Sequence, residues 1–104
     1  MNIKSFIKTL HEGGSLDEAQ SEELFDAVFA GLVSEIELAG ALVALRMRRE
    51  TASELLGAVR SMRKCARPVL LEGNGYFDTC GTGGDNSHSF NVSTATAIVL
   101  SAMN

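Results

Sequence analysis

A chain of 104 residues, 45% hydrophobic and 21% charged, has room for one small core and the composition of an ordinary globular domain, not of a disordered one. A net charge of -4 and a pI near 5.0 exclude general affinity for nucleic acid. No run approaches the roughly 20 apolar residues that span a bilayer, and the start, with Lys4 and Lys8 but no continuous apolar stretch, does not read as a signal peptide.

The charge is unevenly spread. Residues 1–45 are strongly acidic, residues 46–67 hold seven of the nine Lys and Arg, and residues 68–104 carry Glu72, Asp78 and Asp85 with no base. Cys65 and Cys80 lie far apart without metal-ligand spacing and are expected as reduced thiols of a cytoplasmic protein. Asn91-Val92-Ser93 matches a glycosylation sequon, but no secretion signal gives it meaning.

Ile3, Phe6, Ile7 and Leu10 fall on one face of a first helix, ended by Gly13-Gly14. Ser15-Leu16-Asp17-Glu18 reads as a capping box opening a second helix, with Leu24, Phe25, Val28, Phe29 and Leu32 as its apolar face and Gly31 closing it. Ser34-Glu35-Ile36-Glu37 opens a third. Its Leu38–Leu45 stretch is apolar around most of the circumference, so it is expected to be central or to face a second chain. Gly40, Ala41 and Ala44 give that helix a shallow surface for close approach.

Thr51-Ala52-Ser53-Glu54 opens a fourth helix whose expected buried face is Leu55, Leu56, Val59 and Met62; Pro68 stops it. Arg46, Arg48, Arg49, Arg60, Arg63, Lys64 and Arg67 read as a solvated face with cations near a helix C-terminus, not as an anion patch. Met47 and Met62 read as core or interface filler, and His11 as a helix-end residue. Val69-Leu70-Leu71 is a connector, Glu72-Gly73-Asn74-Gly75 a turn and Tyr76–Cys80 a short strand on which Cys80 packs. After a glycine-rich loop, Ser93–Ala102 reads as a helix capped by Asn91 or Ser93. The predicted fold is mainly α: a four-helix amino-terminal bundle, then one strand, a glycine-rich loop and a helix that begin an incomplete α/β domain.

The loop carries the chemistry. Gly81, Gly83 and Gly84 let backbone approach a ligand, and the unpaired N–H groups after Asn91 point to one spot where Ser89, Asn91, Ser93 and Thr94 add short polar groups. Such a loop is either a tight turn or a phosphate cradle. Asp85 repels a bare phosphate and suits sugar hydroxyls or an intervening Mg²⁺. The Walker lysine and the dinucleotide glycine spacing are both absent. His88 reads as a solvent-exposed loop residue.

The run Asp78-Thr79-Cys80-Gly81-Thr82-Gly83-Gly84-Asp85, with Phe90-Asn91-Val92-Ser93-Thr94, resembles the anthranilate phosphoribosyltransferase family of tryptophan biosynthesis. The helical lead-in is similar to that family's amino-terminal domain. The pyrimidine nucleoside phosphorylases are a more distant resemblance. The resemblance implies transfer of phosphoribosyl from phosphoribosyl pyrophosphate to anthranilate with Mg²⁺. It implies a substrate-binding set of Gly81, Thr82, Gly84, Asp85, Ser89, Asn91, Val92, Ser93 and Thr94. Gly81, Gly84 and Asp85 would line the phosphoribosyl pyrophosphate site, Ser89 would contact phosphate, Asn91, Ser93 and Thr94 would hold pyrophosphate, and Ser93 would help place the metal.

By the same resemblance, residues 1–68 form a helical, dimerisation-type domain giving a homodimer, and residues 69–104 a truncated start of the transferase α/β domain. By the resemblance, the family's Lys-His-Gly-Asn segment and its metal-binding Asp-Glu pair, which is not Asp17-Glu18 of the capping box, would follow residue 104. The chain is therefore expected to be a fragment, a shortened homologue or one piece of a split enzyme, without turnover by itself and without catalytic residues of its own. The alternatives are a non-catalytic helical dimerisation module and a fragment of a related pyrimidine nucleoside phosphorylase.

Overall fold

The computed structural model describes residues 2–81 and 90–103. The chain divides into two compact units, Met1–Val69 and Leu70–Asn104.

The first unit holds α1 (Ile3–His11), α2 (Glu18–Phe29), α3 (Glu35–Arg48) and α4 (Ala52–Cys65). Short polar caps start the last three. The Ser34 and Thr51 side chains accept from the N–H groups of Glu37 and Glu54, which reach back as in the predicted boxes. The second helix starts two residues later than its expected box. Asp17 is the cap and Gln20 its partner, because an Asp carboxylate accepts the Gln20 N–H at 2.8 Å while the Gln20 amide oxygen accepts the Asp17 N–H at 3.0 Å. Leu16, freed from the helix, is buried in the core.

That core is Ile7, Leu10, Leu16, Leu24, Ala41 and Leu45, with Ile3, Phe6, Phe25, Val33 and Ala44 packed around it. The face expected of α1 is the one buried. On α2, Leu24 is buried, but Phe29, and Leu32 beyond the helix end, are exposed, and Ser21 and Ala27 are buried instead. On α3 only Ala41 and Leu45 are buried, so it is not a central helix; Leu42, Val43 and Met47 face outward. Gly40 does permit close approach: a Cβ there would stand 2.9 Å from the His11 ring.

The largest departure from expectation is α4. Its buried residues are Glu54, Gly57 and Ser61, and the predicted apolar face of Leu55, Leu56, Val59 and Met62 is exposed. The reason lies in how closely α4 meets α2. A Cβ on Gly57 would stand 2.4 Å from the Glu18 carbonyl oxygen and 2.7 Å from the Glu22 nitrogen, so backbones touch where only glycine fits. The rest of the seam is polar and paired. Ser21 Oγ donates to the Glu54 carbonyl at 2.7 Å, Ser61 Oγ donates to Asp26, and Arg60 and Lys64 pair with Glu18, Glu22 and Asp26. The Ser61 hydroxyl, then Lys64, hold the Asp26 carboxyl below its usual range. Thus Arg60 and Lys64 fasten helices together, beyond the solvated role read for them.

Glu54 is 3% exposed and serves three elements. Its Oε1 accepts from the Leu16 N–H at 3.0 Å and from Arg48; its Oε2 accepts from the Thr51 N–H at 2.8 Å and hydroxyl at 2.9 Å. Burial pushes the carboxyl up, but Arg48 and the Leu16 and Thr51 donors outweigh it and bring it from 4.5 down to about 2. Arg48 Nε is buried with no partner among the described residues, so the guanidinium depends on Glu54 for compensation.

The second unit holds α5 (Val92–Ser101), with none of its described residues fully buried. The expected strand at Tyr76–Cys80 does not form among the described residues. A strand needs a partner ladder, and no backbone–backbone hydrogen bond joins residues 70–81 to other described residues. For the same reason Cys80 is exposed instead of packed.

Candidate functional site

Asn91 caps α5: its Oδ1 accepts the Thr94 N–H at 3.0 Å, which satisfies one of the unpaired donors of a helix start. Ser93, on the first turn, accepts the Gly81 N–H at its Oγ over 3.1 Å. A Cβ on Gly81 would stand 3.2 Å from that oxygen, so this approach favours glycine. Residues twelve apart are thereby joined.

Beside this junction lies an open cleft of 560 Å³, lined by Phe77, Asp78, Thr79, Cys80, Ser93, Thr94, Ala97, Ile98 and Ser101. Its lining mixes hydroxyls and a carboxylate with the apolar side chains of Phe77, Ala97 and Ile98. The structure brings Gly81, Asn91, Ser93 and Thr94 together here, with Val92 exposed on the same turn. Thr82, Gly84, Asp85 and Ser89 lie outside the described residues, as do Gly83 and His88.

Asp78 was not among the residues singled out for ligand contact, yet it lines the cleft, and its Oδ1 accepts the Cys80 N–H at 2.8 Å. The signal was available: an Asp three residues before the first glycine of such a loop is placed to accept from the second following N–H.

Among the described residues no group of three His, Cys, Asp or Glu side chains could hold a metal. The Ser93 hydroxyl and the Asn91 amide oxygen at the junction each accept one hydrogen bond and keep a lone pair. These oxygens fit a Mg²⁺ carried mainly by ligand phosphates and water. No described helix is long and apolar enough to cross a membrane.

Comparison with known proteins agrees on both units. Residues 4–66 match the helical bundle domain of a glycosyl transferase family, and residues 73–104 match the a/b domain of the same family. The chain is similar to an anthranilate phosphoribosyltransferase of Azospirillum brasilense, 42% identical over 97% of this chain and 28% of that protein. It is similar to those of Teredinibacter turnerae (41% identical; 98% of this chain, 30% of the relative) and Metallosphaera sedula (44% identical; 99% and 29%). The chain thus spans under a third of the length of the curated relatives it matches, at their amino-terminal end.

Proposed function

Because the chain belongs to the glycosyl transferase family with a helical bundle domain followed by an a/b domain, we propose that it forms the amino-terminal part of an anthranilate phosphoribosyltransferase. In this reading residues 1–68 are the helical domain and residues 69–104 begin the α/β domain that binds phosphoribosyl pyrophosphate. The observation that carries it is the junction of Gly81, Asn91, Ser93 and Thr94 at the start of α5, beside an open cleft. A helix start flanked by the Ser93 and Thr94 hydroxyls is a place suited to a phosphorylated ligand. The relatives' names supply the substrate class, and a place in tryptophan biosynthesis is proposed with it from the family resemblance.

The chain's own residues would bind and orient. The helix start and the Thr94 and Ser93 hydroxyls would hold the diphosphate, so that the ribosyl carbon faces an incoming amine. Mg²⁺, when bound, supplies charge neutralisation for the departing pyrophosphate. Residues 68–104 contain Glu72, Asp78 and Asp85 and no Lys or Arg, so the second unit supplies no cation of its own to hold a pyrophosphate strongly. They are expected to bind weakly and to show no turnover. Titration with phosphoribosyl pyrophosphate and Mg²⁺ tests the reading. Saturable binding weakened by Gly84→Ala or Asp85→Ala supports it; no binding, or binding indifferent to both, removes it.

The helical unit is proposed to pair with a second copy in a cytoplasmic enzyme. Leu55, Leu56, Val59 and Met62 on α4, together with Leu42, Val43 and Met47 on α3, leave more apolar surface uncovered than a small monomer usually shows. Light scattering at micromolar concentration decides: a clean monomer counts against pairing.

A further inference from the structure

We infer that Asp78 is a positioning residue for this cleft, its carboxylate setting the backbone turn that delivers the Gly81 N–H to Ser93. The inference rests on the ligand reading above. Two consecutive amides are involved. The Cys80 N–H is tied back to Asp78 Oδ1 at 2.8 Å, and the next N–H, of Gly81, reaches Ser93 Oγ at 3.1 Å. Cys80 and Gly81 make no backbone–backbone hydrogen bond to other described residues, so the Asp78 side chain supplies the local restraint that a sheet ladder would otherwise give. Asp78, Cys80, Ser93 and Thr94 all line the cleft, so the turn shapes its wall.

The role is sharpened by charge. A carboxylate beside an anion cleft opposes ligand binding by repulsion. Asp78 therefore acts through its acceptor oxygen and in spite of its charge. Asparagine keeps that oxygen and removes the repulsion; alanine removes both. A carboxylate present to hold a cation would behave in the opposite way, since asparagine would then fail like alanine.

The experiment uses the isotopically labelled 104-residue chain. Amide exchange of Cys80 and Gly81 is read by NMR, and phosphoribosyl pyrophosphate is titrated at fixed Mg²⁺. In Asp78→Ala the Cys80 and Gly81 amides should exchange about fivefold faster and the Kd should rise about fivefold, the effect of one lost hydrogen bond. Asp78→Asn should exchange like the parent chain and bind as tightly or more tightly. Unchanged Gly81 exchange in Asp78→Ala overturns the inference, and so does an Asp78→Asn chain that binds as weakly as Asp78→Ala. If the parent chain shows no binding, the ligand reading falls by itself, and the Gly81 exchange rate still decides whether Asp78 positions this turn.

Discussion

Replacing Glu54 by Gln would show how much of the helical unit rests on one buried carboxylate. Glutamine keeps the shape but offers one acceptor oxygen and turns an NH₂ donor toward groups that are all donors: Leu16 N–H, Thr51 N–H and hydroxyl, and Arg48. Breaking one side of a buried ion pair costs about 3–5 kcal/mol. At roughly 0.05–0.15 kcal/mol per residue, a unit of the size Met1–Val69 has about 3–10 kcal/mol in all. Glu54→Gln should therefore remove between a third and all of its stability at neutral pH.

The pH dependence gives an independent measure. The carboxyl lies lower in the folded chain, about 2, than its ordinary 4.5, so the unfolded chain binds more protons between those values. Its contribution is complete above about pH 4.5 and is lost as pH falls toward about 2, a total of about 3 kcal/mol at 1.36 per pH unit. Urea unfolding followed by far-ultraviolet circular dichroism at several pH values reads both. The parent chain should be the more stable by about 3 kcal/mol near pH 7, and the two should converge as pH approaches 2. A gap below about 1 kcal/mol at pH 7, or one that stays constant on acidification, would refute the assignment of Glu54 as the node of this unit.

Other substitutions probe single features. Gly57→Ala gains about 1 kcal/mol of helix propensity, yet should destabilise by about 1–3 kcal/mol net in urea unfolding, because its Cβ meets the backbone of Glu18 and Glu22. Arg49 has φ +70, and Arg49→Gly should stabilise by about 1 kcal/mol, read as a higher urea midpoint. Asn91→Ala removes the cap of α5 and should cost that helix about 1 kcal/mol, seen as faster amide exchange at Thr94 with the helical unit unchanged.

Helix existence was legible because it is local. Ser34 and Thr51 followed three residues later by Glu mark real helix starts, and Ile3, Phe6, Ile7 and Leu10 mark a real buried face. The second start was misplaced because Ser15 with Glu18 and Asp17 with Gln20 offer competing caps two residues apart, and burial of Leu16 selects the latter. The buried face of α4 was not legible from apolar periodicity, since hydrophobic pattern locates a face that wants covering without saying what covers it. Its true contact is announced by Gly57, a small residue inside a helix, between Glu54 and Ser61 on the same face. In the second unit the cap at Asn91 was legible, while the strand at Tyr76–Cys80 required a neighbour that local pattern does not supply.

The orientation of α4 then follows from a comparison of two faces. Turning the helix to bury Leu55, Leu56, Val59 and Met62, each about half exposed, would gain about 1 kcal/mol apiece, roughly 4 in all. It would also release the Glu54 carboxylate and strand the Arg48 guanidinium that depends on it, at a cost of about 3–5 kcal/mol. It would further break the Ser21 and Ser61 bonds, about 1 kcal/mol each. The polar face wins narrowly, and the close backbone approach at Gly57 adds dispersion contacts that no other face of α4 can make. The exposed half of the apolar face stays available. A surface that covers it from outside collects the hydrophobic gain without disturbing the seam. The same reasoning explains why a helix that keeps glutamate, glycine and serine inside can leave four large apolar side chains facing outward, the face through which the helical unit is proposed to pair.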